Sequence, residues 1–226
     1  MTHPWVFVTD VEAPTLDDND RHHLERVVRV RLGDAVVISD GRGRWRDGVL
    51  RADGVVEPTG DVQSTPTPAP SITIAFALTK GERPELAVQK LTELGVDRIV
   101  PFAADRSVVR WDEARAESHL ARLRRVAREA AMQCRRPWLP VVDEVADFAT
   151  ASQLPGAALA DPSGSPPSLE HPTVLVGPEG GWSDDERARG LATVALGTHV
   201  LRAETAAITA AALLGAIRAT LVVPPG

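Results

Sequence analysis

The stretch DVQSTPTPAP, at 61–70, constrains the fold of this chain more than any other. Each proline removes a backbone N–H and fixes φ, so the segment can neither continue a helix nor enter a central strand. It reads as a linker. A chain of 226 residues divided at that point gives a small front domain, 1–65, and a larger one, 71–226.

The hydrophobic period differs on the two sides. Before the linker, WVFV (5–8), AVVISD (35–40) and WRDGVLRA (45–52) are strand-length runs, and Asp40-Gly41-Arg42-Gly43 is a hairpin signal between two of them. DRHHLERVVRVR (20–31) reads as one short helix, and the whole as a small β-barrel. After the linker, strands and helices alternate. SITIAFAL (71–78) is a buried strand. Pro84 opens a helix that Gly95 closes, and RIVPF (98–102) is the next strand. Residues 112–134 form a long amphipathic helix with Leu120, Leu123, Val126, Ala127 and Ala130 on one face, ended by Pro137. AALA (157–160), TVLVG (173–177) and VALG (194–197) are strands, the first two separated by a Pro/Ser/Gly loop, with a short helix at 184–190 and a small-residue helix at 205–220. The alternation predicts an α/β domain with a mostly parallel sheet.

Two stretches carry candidate chemistry. In VLVGPEGGWSDDE (174–186), Ser183 and Glu186 have capping-box spacing, so a helix starts directly after the glycines. Gly177-Pro178-Glu179-Gly180-Gly181 is then a tight loop at the carboxyl end of a strand, the edge where open α/β sheets bind ligands. It is neither a P-loop nor a G-x-G-x-x-G turn, and acids at the helix start disfavour a phosphate. An adenine, a ribose and a positive sulfonium suit it better, with glycines admitting close backbone approach. The alternative is a plain strand-to-helix turn. LGTHVLRAETAAITAAALL (196–214) repeats the logic, with Arg202 and Glu204 before an alanine helix and Thr205 as its cap. Its alternative is a core helix carrying a surface Arg-Glu pair.

With LTKGERPELAVQKLTELGVDRIVPF (78–102) and EAAMQCRRP (129–137), these stretches make four ordered motifs. Over nearly its whole length the sequence resembles the bacterial 16S ribosomal RNA uridine-N3 methyltransferases of the SPOUT superfamily. The resemblance implies an α/β, SPOUT-type trefoil-knotted methyltransferase domain preceded by a small PUA-like β-barrel domain. It implies S-adenosylmethionine as cofactor, bound by Leu175, Val176, Gly177, Glu179, Gly180, Leu196, Gly197, Leu201 and Arg202. It also implies a homodimer, with Ala206–Leu214 as candidate interface, and 16S ribosomal RNA of the small ribosomal subunit as partner. Direct transfer to uracil N3 needs alignment, removal of the N3 proton, and a cation for the developing anion. Arg202 fits the last role. Glu204 or Glu179 fits the second, with capping or ion pairing as the alternative for either.

RNA contact is implied for His23, Arg26, Arg29, Arg31, Lys80, Lys90, Arg106, Arg122, Gln133, Arg135 and Arg136. The charge distribution agrees: net charge is −6, yet residues 21–51 hold eight arginines against four acids, and 122–136 six against one. Solvated faces are the alternative, and Lys90 has Glu93 on its own helix. The sequence departs from the family pattern at Trp5, where an arginine is usual, at Ala203 in place of threonine, and at Leu123 in place of an aromatic.

Rival readings are methylation of another RNA and a non-catalytic RNA-binding dimer. With Cys134 as the single cysteine, neither a disulfide framework nor a cysteine-based zinc site is available within one chain, so no metal is expected. No run of about 18 apolar residues is present and the N-terminus lacks a secretory pattern, which predicts a cytoplasmic protein without a membrane partner.

Overall fold

A computed structural model describes residues 3–16, 20–21, 30–52, 55–79, 83–111 and 113–222. The chain divides into two compact units, residues 1–67 with 128–139, and residues 68–127 with 140–226.

The first unit holds β1 (Trp5–Phe7), β2 (Ala35–Ser39), β3 (Arg44–Leu50), β4 (Val56–Pro58) and β5 (Gln63–Ser64). They form one sheet in the order β1-β2-β3-β4, with β5 also on β3. The β2–β3 hairpin is the one expected: Gly41 and Gly43 take positive φ in its turn and Asp40 N donates to Arg44 O. Val6, Val8, Val36, Ile38, Leu50 and Val56 form the core. Residues 61–70 do not behave wholly as a linker. The end of β3 not used by β4 offers free backbone groups, and Gln63 and Ser64 pair there with Trp45 and Arg44. Trp138 Nε1 donates to the carbonyls of Thr65 and Pro66, 3.1 Å each. Its ring lies so close to Gly43 that a Cβ there would sit 2.6 Å away. The expected helix at 20–31 falls mostly outside the described residues.

The second unit contains β6 (Thr73–Ala77), α1 (Arg83–Glu93), β7 (Arg98–Ala103), most of α2 (Glu113–Gln133), β8 (Val141–Val142), β9 (Ala146–Asp147), α3 (Phe148–Ala151), β10 (Ala157–Ser165), β11 (Thr173–Val176), α4 (Asp184–Arg187), β12 (Ala192–Val194) and α5 (Ala203–Arg218). Its sheet runs β12-β10-β11-β6-β7-β8, every pair parallel, with β9 also on β7. Every β6 side chain is buried because both faces are covered. Ile74 and Phe76 join Val88 and Leu91 of α1 and Ala207, Ala210, Ala211 and Leu214 of α5. Ala75 and Ala77 face a second cluster with Phe102, Phe148, Leu159, Leu175 and Trp182. Alanine on α5 lets helix and sheet backbones approach closely. Gly95 ends α1 as expected, with φ +84 and a Val96 N to Leu91 O bond of 3.0 Å.

The sequence reading stops the β10 strand at residue 160, but β10 runs on to Ser165. It keeps pairing with β12 across a register shift between Ala160 and Ser165. Gly164 makes that possible, since a Cβ there would lie 2.5 Å from the Thr193 carbonyl carbon. After β12, at the outer edge, the chain returns through 195–202 and lays α5 against β6, β11 and α1.

The far end of α5 is moored by Arg218. Its guanidinium pairs with Asp97 and donates to Gly95 O at 2.7 Å and Pro70 O at 3.2 Å, while Asp97 also accepts from Ile72 N. Arg218→Ala removes a mostly buried cation from that carboxylate and is expected to cost about 3 kcal/mol. Urea unfolding measures it, and a loss near zero would contradict this role for the pair.

Candidate active site

Parallel strands bring their carboxyl ends to one sheet edge. Near that edge a cleft of about 210 Å³ is enclosed by Ala160–Pro162 within β10, by Val176–Glu179, Gly181 and Trp182 at and after the end of β11, and by Leu196, Gly197 and His199–Leu201 after β12. Val176, Leu196, Leu201, Ala203 and Ala206 give apolar walls, and Gly177 and Gly197 present bare backbone.

The β11 loop is built on Trp182. Its side chain is 4% exposed, its Nε1 donates to Ala160 O at 3.0 Å, and its ring stacks on Phe102 with 6.2 Å between centroids and an 8° interplanar angle. Phe148 tilts against it at 5.7 Å. A Cβ on Gly177 would sit 3.0 Å from the indole, so glycine lets the loop lie flat on it. Gly181 takes φ +70 and its N–H donates to Pro178 O at 2.9 Å, closing the turn.

The capping box is present. Ser183 Oγ accepts from Glu186 N at 3.1 Å, and Glu186 Oε2 accepts from Ser183 N at 2.7 Å. Buried Glu186 also accepts from Asp105 N at 2.9 Å, and Ser183 Oγ donates to Asp105 at 2.5 Å. These acids therefore tie the loop after β7 to the β11 loop.

Of the nine residues expected to hold the cofactor, Val176, Gly177, Glu179, Leu196, Gly197 and Leu201 line the cleft. Leu175, Gly180 and Arg202 do not. Leu175 is fully buried in the cluster around Trp182. Gly180 packs on the β7 loop, where a Cβ would meet Arg106 Cβ at 3.1 Å and where its carbonyl accepts from Arg106 Nη1 at 3.3 Å. Arg202 is exposed at the N-cap of α5 and makes no side-chain cap bond. Thr205 is not the cap, because α5 begins at Ala203 and places Thr205 inside the first turn. Nor are residues 195–197 strand, since β12 ends at Val194.

Glu204 and Glu179 meet through a residue that sequence reasoning left out. Arg83 reaches Glu179 at 2.8 Å and Glu204 at 3.8 Å, joining both loops to the start of α1. Glu204 Oε2 is buried and accepts no hydrogen bond. Ion pairing, the alternative reading of these glutamates, is thus present for both, with one oxygen of Glu204 left over.

Asp161, Pro162, Trp182, Arg187 and His199 also line the cleft and were missed. The available signal was Asp161-Pro162 after an apolar strand, a third strand end on the same edge. Asp161 is 8% exposed. The Ser163 hydroxyl at 2.7 Å, the Ser163 N–H at 3.0 Å and Arg187 at 2.7 Å hold its carboxyl down at about 2.

Among the residues expected at RNA, His23, Arg26, Arg29 and Lys80 lie outside the described residues. Lys90 pairs with Glu93 at 2.8 Å and Arg122 with Glu85 at 3.1 Å. Arg31, Arg106, Gln133 and Arg135 are exposed and Arg136 half-buried. Among the described residues, no cluster of His, Cys, Asp and Glu could hold a metal ion, and no helix is long and apolar enough to cross a membrane.

Comparison with known proteins finds two families matched by successive parts of the chain. Residues 65–215 match the family described as RNA methyltransferase domain, and residues 16–54 match RNA methyltransferase PUA domain. Ribosomal RNA small subunit methyltransferase E of Mycobacterium tuberculosis is 34% identical over 224 residues, covering 89% of this chain and 86% of that protein. A crystal structure of a ribosomal RNA small subunit methyltransferase E from Neisseria gonorrhoeae, bound to S-adenosyl methionine, superposes with a TM-score of 0.79 at 27% identity, over 96% of this chain and 98% of that one. A probable rRNA-methyltransferase from Porphyromonas gingivalis superposes with a TM-score of 0.79 at 29% identity, over 97% and 100% of the two chains.

Proposed function

The chain belongs to the ribosomal RNA small subunit methyltransferase E family, and on that premise we propose that it methylates N3 of one uridine in the small-subunit ribosomal RNA, with S-adenosylmethionine as donor. The observation that carries this reading is the cleft formed by β10 and the ends of β11 and β12. Its apolar walls and open glycine backbone suit a nucleoside. Its charged groups, Asp161, Glu179 and Arg187, include two carboxylates, which suit a sulfonium better than a phosphate.

Bound S-adenosylmethionine supplies an electrophilic methyl group on a positive sulfur. Val176, Leu196, Leu201 and the Gly177 and Gly197 backbone bind and orient the nucleoside and exclude water. Arg202, permanently charged beside lining residues Leu201 and Ala203, stabilises the uracil as N3 loses its proton. Glu204 Oε2, buried with its acceptor capacity unused, takes that proton, while Arg83 keeps Glu204 in place. The N3–CH3 bond forms as the S–CH3 bond breaks. Exposed basic residues such as Arg31, Arg106 and Arg135 meet phosphates, and the target base is splayed out to be reached. The return of the chain from β12 to α5 supports the knotted path. Val200, 92% exposed at the cleft rim, and half-buried Ala206, Ile208 and Leu213 support a homodimer packed on α5.

The purified chain, given S-adenosylmethionine and either free small-subunit RNA or assembled subunits, is expected to yield one N3-methyluridine by mass mapping. Methyl incorporation at a ribose or another base would replace the target. Absence of transfer to any RNA would leave only RNA binding.

A further inference from the structure

The cofactor reading uses Asp161 only as a negative charge in the cleft and does not explain why Ser163 and Arg187 hold it so closely. A carboxylate this buried, in the wall of a ligand cleft, is usually neutralised or fully bonded. Asp161 is only partly so. Its Oδ1 accepts from Ser163 N–H and Oγ–H, which uses both lone pairs, whereas Oδ2 accepts only from Arg187 Nη1. One lone pair therefore remains on a rigidly held oxygen at the cleft. The positioning groups come from different elements: Ser163 lies two residues further along β10, and Arg187 is the last residue of α4. The β10 register shift spans this segment: Ala160 and Ser165 both pair with Val194, and Asp161, between them, lines the cleft.

We infer that Asp161 is a cofactor-binding residue, whose Oδ2 accepts a hydrogen bond from an O–H or N–H group of the bound S-adenosyl donor. The inference rests on the proposed function. Two groups of that molecule have the required chemistry, the ribose hydroxyls and the α-ammonium, and both are donors that a carboxylate in a strand-end cleft receives well. Ser163 and Arg187 are positioning residues: they fix the carboxylate and keep it ionised, consistent with its depressed titration. Adenine would be held by the apolar walls and backbone, so Asp161 supplies a buried, rigidly held side-chain acceptor that reads the rest of the donor.

The test is calorimetry on the full chain with S-adenosylhomocysteine and with methylthioadenosine, which keeps the ribose and lacks the amino-acid tail. Asp161→Asn replaces the free acceptor with an amide and is expected to weaken S-adenosylhomocysteine about tenfold or more, with the folded fraction unchanged by circular dichroism. If methylthioadenosine weakens equally, the partner is a ribose hydroxyl; if it is unaffected, the partner is the α-ammonium. Unchanged affinity for both, or a loss that tracks the unfolded fraction, overturns the inference. Should Asp161→Asn fail to fold, Ser163→Ala keeps the carboxylate but frees its Oδ1, and is expected to weaken S-adenosylhomocysteine a few-fold; no change there also overturns it. If the unsubstituted chain binds neither ligand, the cofactor reading falls and takes this inference with it. Binding by the unsubstituted chain with Asp161→Asn unaffected sinks the inference alone.

Discussion

Trp182→Ala is expected to cost about 3–5 kcal/mol of stability and to abolish measurable S-adenosylhomocysteine binding. The indole is almost wholly buried between Phe102 and Phe148, and its removal opens a cavity under the β11 loop. It also leaves Ala160 O without the Nε1 donor 3.0 Å away. Because Gly177 rests directly on the ring, the cleft floor collapses together with the core. Trp182→Phe separates the two contributions. It restores most of the apolar contact, loses the hydrogen bond, and should cost about 1–2 kcal/mol while retaining binding. Denaturant midpoints measure both variants. A Trp182→Ala protein within about 1 kcal/mol of the parent would show that the loop does not depend on this packing.

Arg202→Ala is expected to act in the opposite way, lowering kcat by about a hundredfold or more with stability changed by less than about 0.5 kcal/mol. The side chain is exposed, caps nothing and has no ion pair among the described residues, so the fold gains little from it. On the proposed mechanism its role is confined to the developing anion, which exists only during transfer. Arg202→Lys keeps the charge but not the planar fork and should recover part of the rate. Single-turnover kinetics with saturating RNA decide the matter. If the loss lies entirely in RNA affinity, Arg202 grips phosphate and the anion is stabilised by another group.

The fold was legible where local rules and tertiary structure agree. The Ser183–Glu186 capping box, the Gly95 helix end and the hairpin at 40–43 each rest on contacts within a few residues, and each is present. The extension of β10 through Asp161–Ser165 was not legible, because a run with Pro162 and Gly164 reads as a loop until β12 lies beside it. The strand in the proline-rich segment was hidden likewise, since only the free end of β3 makes residues 63–64 extended. In the cleft, six of the nine expected cofactor residues line the space because motif and strand end coincide. At Gly180 the close neighbour that the sequence did not disclose is Arg106, on the loop after β7. Asp161 and Arg83 were overlooked because each lies far in sequence from the motifs it serves.

The Arg218–Asp97 contact joins residues 121 positions apart. Its arginine ends the last helix, and α5 supplies five side chains to the interior of the central sheet. While the polypeptide is still being made, β6, β7 and α1 emerge before α5, so Ile74 and Phe76 have α1 against them but lack the cover that α5 supplies. The sheet therefore completes its core only once α5 has been made, and the domain closes through contacts between segments far apart in the chain rather than element by element.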